Sequence, residues 1–463
     1  MNVPPNESKQ FFILAAAGKD ESDAQSLVYS LHEGDFKEID TLYKAELERR
    51  LKLLEVFQKQ HAPTKMEDWL TFLVLATNSF VVHRQSTRTK SVIAGYQWFE
   101  DWGRDSLISL SGLTLVTGRF SDAKEILLTF KHYCQKGLIP NRFPDASGEE
   151  PEYDTVDASL WYFNAVLQYL KYTGNLNFVQ TQLWETLKSI TEHHIQGTLH
   201  DIHMDKDCLI AHGPRLTWMD AAINNQPITP RQGKAVEIQA LWYNALKIME
   251  LLATKFDAKA EANKYSSTAE KARKSFAQEF WNPQTNCLFD VVDVVRKDAS
   301  LRPNQVIAAA LDFPILDKVK SQKVVETVQE NLWGLYGLRT LSKDNSCYIG
   351  RYMGDRLHRD TAYHNGTVWA WLLGPFITAF LKLKKHEKVW RDYAFQNFLQ
   401  PLFQYQISRA GLGTISEIFD GDPPHGPQGC VSQAWSVAEP LRTYVEDVLL
   451  KRPAYEQKVL GLV

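Results

Sequence analysis

Polar side chains stand at the start of six otherwise apolar segments of this 463-residue sequence. They are Arg104 and Asp105, Asp154 and Asp157, Glu237, Asn304 and Gln305, His364 and Asn365, and Gln433. Helix capping explains the acidic and amide residues taken singly, because Asp and Asn favour helix N-termini. Capping does not explain Arg104, since a cation there opposes the helix dipole. Carboxylates and a guanidinium group around one cleft could instead bind the vicinal hydroxyl groups of a neutral ligand.

Aromatic residues are abundant, with 13 Trp, 18 Tyr and 23 Phe, or 12% of the chain. Such side chains can fill a core, and they can also line a cleft in which sugar rings pack against indole faces. Four tryptophans are candidates for either role: Trp98, Trp102, Trp218 and Trp435.

The elements that must position these residues are helices. Apolar residues recur with helical period from about residue 40 onward. The predicted helices are 41–59, 67–82, 105–117, 121–136, 155–173, 181–196, 236–254, 257–280, 303–311, 317–331, 364–382, 386–407 and 431–449. Six of them are apolar on most sides, which is typical of buried helices, and they begin at 105, 155, 236, 303, 364 and 431. Buried helices that alternate with exposed ones predict an all-α fold of two concentric rings, an (α/α)6 barrel, with an open α-solenoid as the alternative. Parallel inner helices would bring the six polar starts to one end.

The N-terminal segment differs from the rest. Apolar runs at 11–17 and 26–30 predict two strands, or one strand and a connector, and 287–295 is the best strand candidate elsewhere. Two strands do not bury a core. We therefore expect a short β/helical extension at 1–60, a possible remnant of a larger β domain, followed by a catalytic barrel at 61–463.

Composition excludes several classes of function. There are 52 basic and 55 acidic residues, a net charge of −3, which argues against nucleic-acid and anionic-membrane partners. The most apolar stretches are shorter than the roughly 18 residues of a membrane span. Five scattered cysteines without a Cys-x-x-Cys pair favour a reducing, cytoplasmic compartment, and no secretory signal is visible. The His/Asp-rich stretch 193–207 lacks a zinc or calcium pattern, so neither a metal nor a cofactor is expected.

Nine segments resemble, in order, motifs of the amylo-α-1,6-glucosidase half of glycogen debranching enzymes. They are 96–108 (YQWFEDWGRDSLI), 137–142 (GLIPNR), 153–161 (YDTVDASLW), 216–221 (LTWMDA), 229–237 (TPRQGKAVE), 302–305 (RPNQ), 363–369 (YHNGTVW), 414–421 (TISEIFDG) and 433–436 (QAWS). The resemblance covers about residues 90–450 and implies an (α/α)6 barrel. It also implies exo-acting, inverting hydrolysis of single α-1,6-linked glucose stubs on glycogen or limit dextrin.

The resemblance assigns roles to individual residues. Asp220 matches the general acid and Glu417 the general base of the family, while Arg104 and Asp105 match the pair that binds the terminal glucose. Trp218 and Met219 give Asp220 an apolar setting that would keep it protonated. Glu417 lies in a polar, Gly-rich stretch suited to an ionised base. Further binding candidates are Asp157, Arg231, Lys234, Glu237 and His364.

Other interpretations stay open at this point. Either catalytic carboxylate could be a loop residue that caps the next helix, and Arg231 and Lys234 could form a buried salt bridge with Glu237. The barrel could be another α-glucosidase, glucoamylase-like or trehalase-like, because the loops set the linkage. It could also be a non-catalytic glucan-binding barrel. The sequence indicates neither a second site for glucan transfer nor an oligomeric state.

Overall fold

The structure is a computed structural model that describes residues 4–8, 13, 15–18, 20–32, 36–62, 65–84, 87–143 and 150–462. These residues are mostly helical, as predicted. The chain divides into two compact units, Met1–Val56 and Phe57–Val463, and the polar helix starts all belong to the second. No helix in the part of the chain listed above is both long and apolar enough to span a membrane.

Eighteen α-helices occur in the described ranges. They are Glu21–His32 (α1), Phe36–His61 (α2), Asp68–Phe80 (α3), Gly103–Leu110 (α4), Phe120–His132 (α5), Asp157–Thr173 (α6), Leu176–Phe178 (α7), Trp184–Gln196 (α8), Val236–Lys255 (α9), Lys259–Glu279 (α10), Ile307–Ala310 (α11), Lys318–Leu332 (α12), Arg356–Tyr363 (α13), Leu373–Leu383 (α14), Lys388–Ala394 (α15), Gln400–Tyr405 (α16), Ala434–Thr443 (α17) and Glu456–Leu460 (α18). Short π- or 3-10-helical turns extend several of them, including Ser111–Leu115 after α4 and Tyr444–Val448 after α17.

Six of these helices pack in a cycle. Helix α4 packs on α6, α6 on α9, α9 on α11, α11 on α14, α14 on α17, and α17 returns to α4. They are the six helices that the sequence marks as apolar on most sides, and all eight residues of α4 are buried. Helices with a polar face pack against this cycle, among them α10 against α9 and α12 against α14. The polar starts of the six helices therefore belong to one packed group.

Short antiparallel strands connect the helix starts. They are Val81–Arg84 (β1), Thr89–Val92 (β2), Gly95–Tyr96 (β3), Asp101–Trp102 (β4), Arg142–Phe143 (β5), His203–Met204 (β6), Ile210–Ala211 (β7), Ala222–Ile223 (β8), Gln226–Pro227 (β9), Lys234–Ala235 (β10), Trp281–Asn282 (β11), Cys287–Leu288 (β12), Val291–Val292 (β13), Lys297–Asp298 (β14), Leu338–Arg339 (β15), Val368–Trp369 (β16), Ile418–Phe419 (β17), Pro427–Gln428 (β18) and Ser432–Gln433 (β19). The largest sheet has the order β15-β16-β17-β18. In this sheet Trp369 of β16 pairs with Ile418 of β17. Glu417, which directly precedes Ile418, therefore lies beside β16.

Two predictions of secondary structure are wrong, and a third falls only partly on described residues. The predicted strand 26–30 lies inside α1, whose first turn carries Glu21 and Asp23, which favour a helix N-terminus. Of the predicted strand 11–17, residues 11, 12 and 14 lie outside the described residues, and the others form no strand. The helix predicted at 364–382 contains β16 and becomes α-helical only at Leu373, because Val368 and Trp369 pair with strands on both sides.

Candidate active site

A cavity opens at the helix starts and gathers residues from distant parts of the sequence. Its lining consists of Phe99, Trp102, Arg104, Asp105, Trp218, Asp220, Tyr363, Trp369, Glu417, Gln433 and Trp435. Three carboxyl groups, one guanidinium group and four indoles thus face a single space.

Arg104 joins two acidic residues at the base of this cavity. Its Nη1 donates to Oδ2 of Asp220 at 3.0 Å, and its Nε donates to both carboxylate oxygens of Asp157 at 2.8 Å. Arg104 is 2% exposed and Asp157 is buried behind it, at the first residue of α6. Asp157 therefore bonds to the guanidinium group on the side away from the cavity. Asp220 accepts a hydrogen bond from the same group on the cavity side.

Asp220 keeps one oxygen free to act. Its side chain is 30% exposed, and Oδ1 has no hydrogen-bond partner in the described structure. Burial raises the pKa of Asp220, although the charge and hydrogen bond of Arg104 partly oppose this rise. The preceding Trp218 and Met219 are buried, as the apolar sequence around Asp220 suggests.

Glu417 is held through both of its carboxylate oxygens. The Tyr363 hydroxyl donates to Oε1, and the backbone N–H of Cys430 donates to Oε2 at 2.8 Å. Gly429, at φ +68°, passes so close that a Cβ there would meet Oε2 of Glu417. The backbone at 429–430 thus approaches the carboxylate in a way that a larger residue would prevent.

The surroundings of Glu417 differ from the polar setting that its sequence suggests. The residue is 2% exposed, and burial raises its pKa to about 7, while the bonds from Tyr363 and Cys430 act in the opposite direction. The polar residues that follow Glu417 in the sequence do not expose its carboxyl group to water, because Glu417 directly precedes the buried strand β17.

Asp105 is the third carboxyl group of the cavity. It is buried, and Nε2 of Gln433 donates to its Oδ1 at 3.0 Å. Burial and the nearby charges of Asp220 and Glu417 raise its pKa to about 8, against the opposing effect of Arg104. Asp105 is therefore protonated at neutral pH and able to donate a hydrogen bond.

Indole rings form the floor. Trp218 meets Trp369 and Trp371 edge to face, at centroid distances of 5.1 and 5.2 Å, and Trp371 stacks on Trp435 at 5.3 Å. The Nε1–H of Trp218 donates to Asn304 at 2.8 Å, which fixes that ring. This layer supplies flat apolar surfaces beside the carboxyl groups, the combination that a sugar ring requires.

The remaining predicted binding residues lie outside the lining. Arg231 bonds to Glu237 and, from Nε, to Asp290 at 2.7 Å, so the buried salt bridge considered from the sequence is present. Lys234 pairs instead with Asp205 and Asp207, at 2.9 and 2.7 Å.

Two other candidates occupy positions beside the cavity. His364 is fully buried and stacks on Trp369, with a centroid distance of 5.5 Å. Trp98 is 58% exposed and lines a neighbouring pocket that shares Phe99, Tyr363 and Glu417 with the cavity. It could contact a ligand that extends beyond the main cavity.

Phe99, Tyr363 and Trp369 were not assigned to the site from the sequence, and Gln433 was noted only as a polar helix start. All four lie inside segments 96–108, 363–369 and 433–436, which carry the resemblance. Charged residues and four other tryptophans were selected from the sequence, so Phe99 and Tyr363 gave no separate signal.

The family model for amylo-alpha-1,6-glucosidase matches residues 75–442, which include every residue of the cavity. The chain belongs to this family. A curated relative, the glycogen debranching enzyme of Saccharomyces cerevisiae, is 26% identical over 370 residues. That match covers 60% of this chain and 24% of the relative, so the chain corresponds to about a quarter of the relative's length.

Proposed function

We propose that this member of the amylo-alpha-1,6-glucosidase family is a glycoside hydrolase that releases glucose from single α-1,6-linked stubs on glycogen or limit dextrin. The observation that carries the proposal is the placement of Asp220 and Glu417 on one cavity with a tryptophan floor. A pair of carboxyl groups flanking a sugar site is the arrangement that glycoside hydrolysis needs. The enzyme is exo-acting, which means that it removes the glucose unit at the end of a glucan chain.

We also propose that the cycle of six helices is the inner ring of an (α/α)6 barrel. The return of α17 to α4 supports a closed ring over an open solenoid. The exposed helices that pack against it, such as α10 and α12, would form the outer ring. The second unit of the chain would then be the catalytic domain, and the segment before it the extension expected from the sequence.

Asp220 acts as the general acid in this proposal. Arg104 occupies Oδ2, so the proton resides on the free Oδ1 and passes from there to the glycosidic oxygen as the bond to C1 breaks. The raised pKa of Asp220 supports this role, because a carboxyl group must be protonated to donate.

Glu417 acts as the general base. Both of its oxygens accept hydrogen bonds, which partly offset the effect of burial on the pKa of Glu417, and each keeps a lone pair for a water molecule. That water attacks C1 from the face opposite the departing oxygen and gives its proton to Glu417. The configuration at C1 is inverted, and no bond forms between sugar and enzyme.

The test of substrate class is glucose release from a panel of substrates, with EDTA present because the proposal includes no metal. We expect glucose from limit dextrin and isomaltose, little from maltose, and none from trehalose. Preferred cleavage of maltose or trehalose would replace the proposal with a glucoamylase-like or trehalase-like activity. No release from any substrate would leave a non-catalytic glucan-binding protein.

Variants that preserve side-chain volume test the two roles separately. Asp220→Asn should lose about 10²–10⁴-fold in glucose release from limit dextrin but keep most activity on α-glucosyl fluoride, whose leaving group needs no acid. Glu417→Gln should lose both activities and regain fluoride cleavage when azide replaces water as nucleophile. The reverse pattern would exchange the two roles.

A further inference from the structure

A second cavity lies within the cycle of inner helices, away from their starts. Asn164 of α6, Thr378 of α14 and Glu439 of α17 line it, and all three come later in their helices than the residues at the active-site end. This cavity lies in the interior of the helix cycle, and the proposed hydrolysis does not involve it.

One indole separates the two cavities. Trp371 lines the second cavity, and its ring stacks on Trp435 with an interplanar angle of 22°. It also meets Trp218 edge to face. Both Trp435 and Trp218 line the active-site cavity, so the two spaces lie on opposite sides of one tryptophan layer.

The charged groups of the second cavity already have partners. Lys171 pairs with Asp312 at 2.9 Å, and Arg442 pairs with Glu439 at 2.7 Å and with Glu446 at 3.4 Å. Buried ion pairs of this kind satisfy one another and leave little demand for a charged ligand. Lys382, also in the lining, donates to the backbone carbonyls of Ala310 and Leu311 at 2.6 and 2.9 Å. Because the charged groups are bonded within the protein, a neutral polar molecule is the class of occupant that this cavity favours.

Two neutral polar groups lack partners. Ser111 is 5% exposed and lines the cavity, and its hydroxyl makes no hydrogen bond within the described structure. The side-chain amide of Asn164, also in the lining, is likewise without a partner among those residues. Ser111 is buried and Asn164 is half-buried, and both line the cavity, so its contents are the available hydrogen-bond partners for their side chains.

The apolar part of the lining includes two indoles, Trp161 and Trp371, beside the aliphatic residues Ile108, Ala310, Leu311 and Pro375. Indole faces beside unpaired hydroxyl and amide groups suit a ring that is apolar on its faces and hydroxylated at its edge. At the other end of the cavity the side chain of Arg452 is 28% exposed, so the lining reaches the protein surface there.

We propose that this cavity is a second carbohydrate site, which binds one neutral hexose such as glucose between Trp161 and Trp371. Ser111 and Asn164 bond to its hydroxyl groups, and the ion pairs around Arg442 and Lys171 border it. The binding is non-covalent and does not depend on hydrolysis at the first site.

Glucose binding to the full chain tests this site once the active site is blocked with a protonated iminosugar. Saturation-transfer NMR should still detect glucose, with a dissociation constant on the order of 1 mM for so small a ligand. Asn164→Leu, which removes the unpaired amide, and Ala310→Phe, which fills the lining, should each weaken this binding at least about tenfold. Asn177→Leu, at an exposed position of α7, is the matched control and should bind like the wild type.

Two results would overturn the proposal: no glucose signal in the blocked wild type, or unchanged binding in both cavity variants. A crystal structure of the wild type soaked in glucose decides the matter if the variants fail to fold. We expect glucose between Trp161 and Trp371, and ordered water alone would contradict the site. The crystal locates glucose whether or not the iminosugar binds, so this outcome is independent of the proposed hydrolysis.

Discussion

The guanidinium group of Arg104 donates a hydrogen bond to Oδ2 of Asp220 at 3.0 Å. The same group donates to a second carboxylate, Asp157, on its other side. The sequence suggested Arg104 as a direct ligand of the sugar. Its bonds give it a further role, since they fix which oxygen of Asp220 is free and hold the pKa of Asp220 below the value that burial alone would produce.

Replacing Arg104 should therefore change both stability and the pH dependence of catalysis. Arg104→Met leaves Asp157 buried without a cation, which should cost about 3–5 kcal/mol in the free energy of unfolding. It also removes the positive charge beside Asp220, so the pKa of Asp220 should rise. The alkaline limb of the pH–rate profile should then move to higher pH.

Arg231→Met is the matched control for this experiment. Arg231 is also buried between two carboxylates, Glu237 and Asp290, but it lies outside the cavity lining. We expect a similar loss of stability in urea unfolding without a shift of the pH profile. A profile that moves equally in both variants would show that Arg104 acts only as a structural ion pair.

The acidity of Glu417 should set the acid limb of the activity profile. The base must be ionised, and burial raises the pKa of Glu417 to about 7. The ratio kcat/KM should therefore fall as pH decreases below about 7, approaching tenfold for each pH unit. Activity that is constant from pH 7 down to pH 5 would contradict Glu417 as the base.

Tyr363 should be a positioning residue for that base. Its hydroxyl donates to Glu417 and lowers the pKa of this carboxyl group. Tyr363→Phe should therefore move the acid limb of the activity profile to higher pH, by about one pH unit. Activity should fall more at pH 6 than at pH 8. Tyr162→Phe is the control, because Tyr162 is buried and donates to the Leu127 carbonyl at 2.9 Å, outside the lining. An unmoved limb in Tyr363→Phe would remove Tyr363 from this role.

The sequence identified the buried helices well, because their apolar character extends over many residues. The helix predicted at 236–254 is Val236–Lys255 in the structure, and the helix predicted at 155–173 is Asp157–Thr173. It identified segment 364–373 poorly, since an apolar run of that length fits a buried strand and a buried helix equally.

For the site, the sequence supplied the two carboxyl groups that we propose to react, but not the groups that bond to them. Asp220 and Glu417 were selected because they lie inside motifs that resemble those of the family. The Tyr363 hydroxyl and the Cys430 N–H reach Glu417 from positions 54 and 13 residues away. Such contacts depend on the packing of β16, β17 and the loop at 429–430, and no local pattern encodes that packing.

Asp105 should make the wild-type protein less stable as pH rises. Its folded-state pKa of about 8 lies above its ordinary value of 3.8, so the folded state binds the proton more tightly. The stabilisation is complete below about pH 4 and is lost as pH rises toward 8, at up to about 1.4 kcal/mol for each pH unit. Asp105→Asn cannot ionise and should lack this contribution.

Urea unfolding from pH 4 to pH 8 measures the difference between the two proteins. The free energy of unfolding of Asp105→Asn relative to the wild type should increase steadily across this range. A difference that does not vary with pH would mean that Asp105 is ionised in the folded protein.

The stereochemistry of the released glucose tests the central claim most directly. Asp220 as acid and Glu417 as base require water to attack from the face opposite the leaving group, with the two carboxyl groups roughly 6.5–9.5 Å apart rather than the 5–5.5 Å of a nucleophilic pair. Proton NMR of an α-linked substrate during the first minutes of reaction distinguishes the two anomers before they interconvert. We expect β-glucose to appear first, and α-glucose appearing first would contradict the mechanism and the roles of both residues.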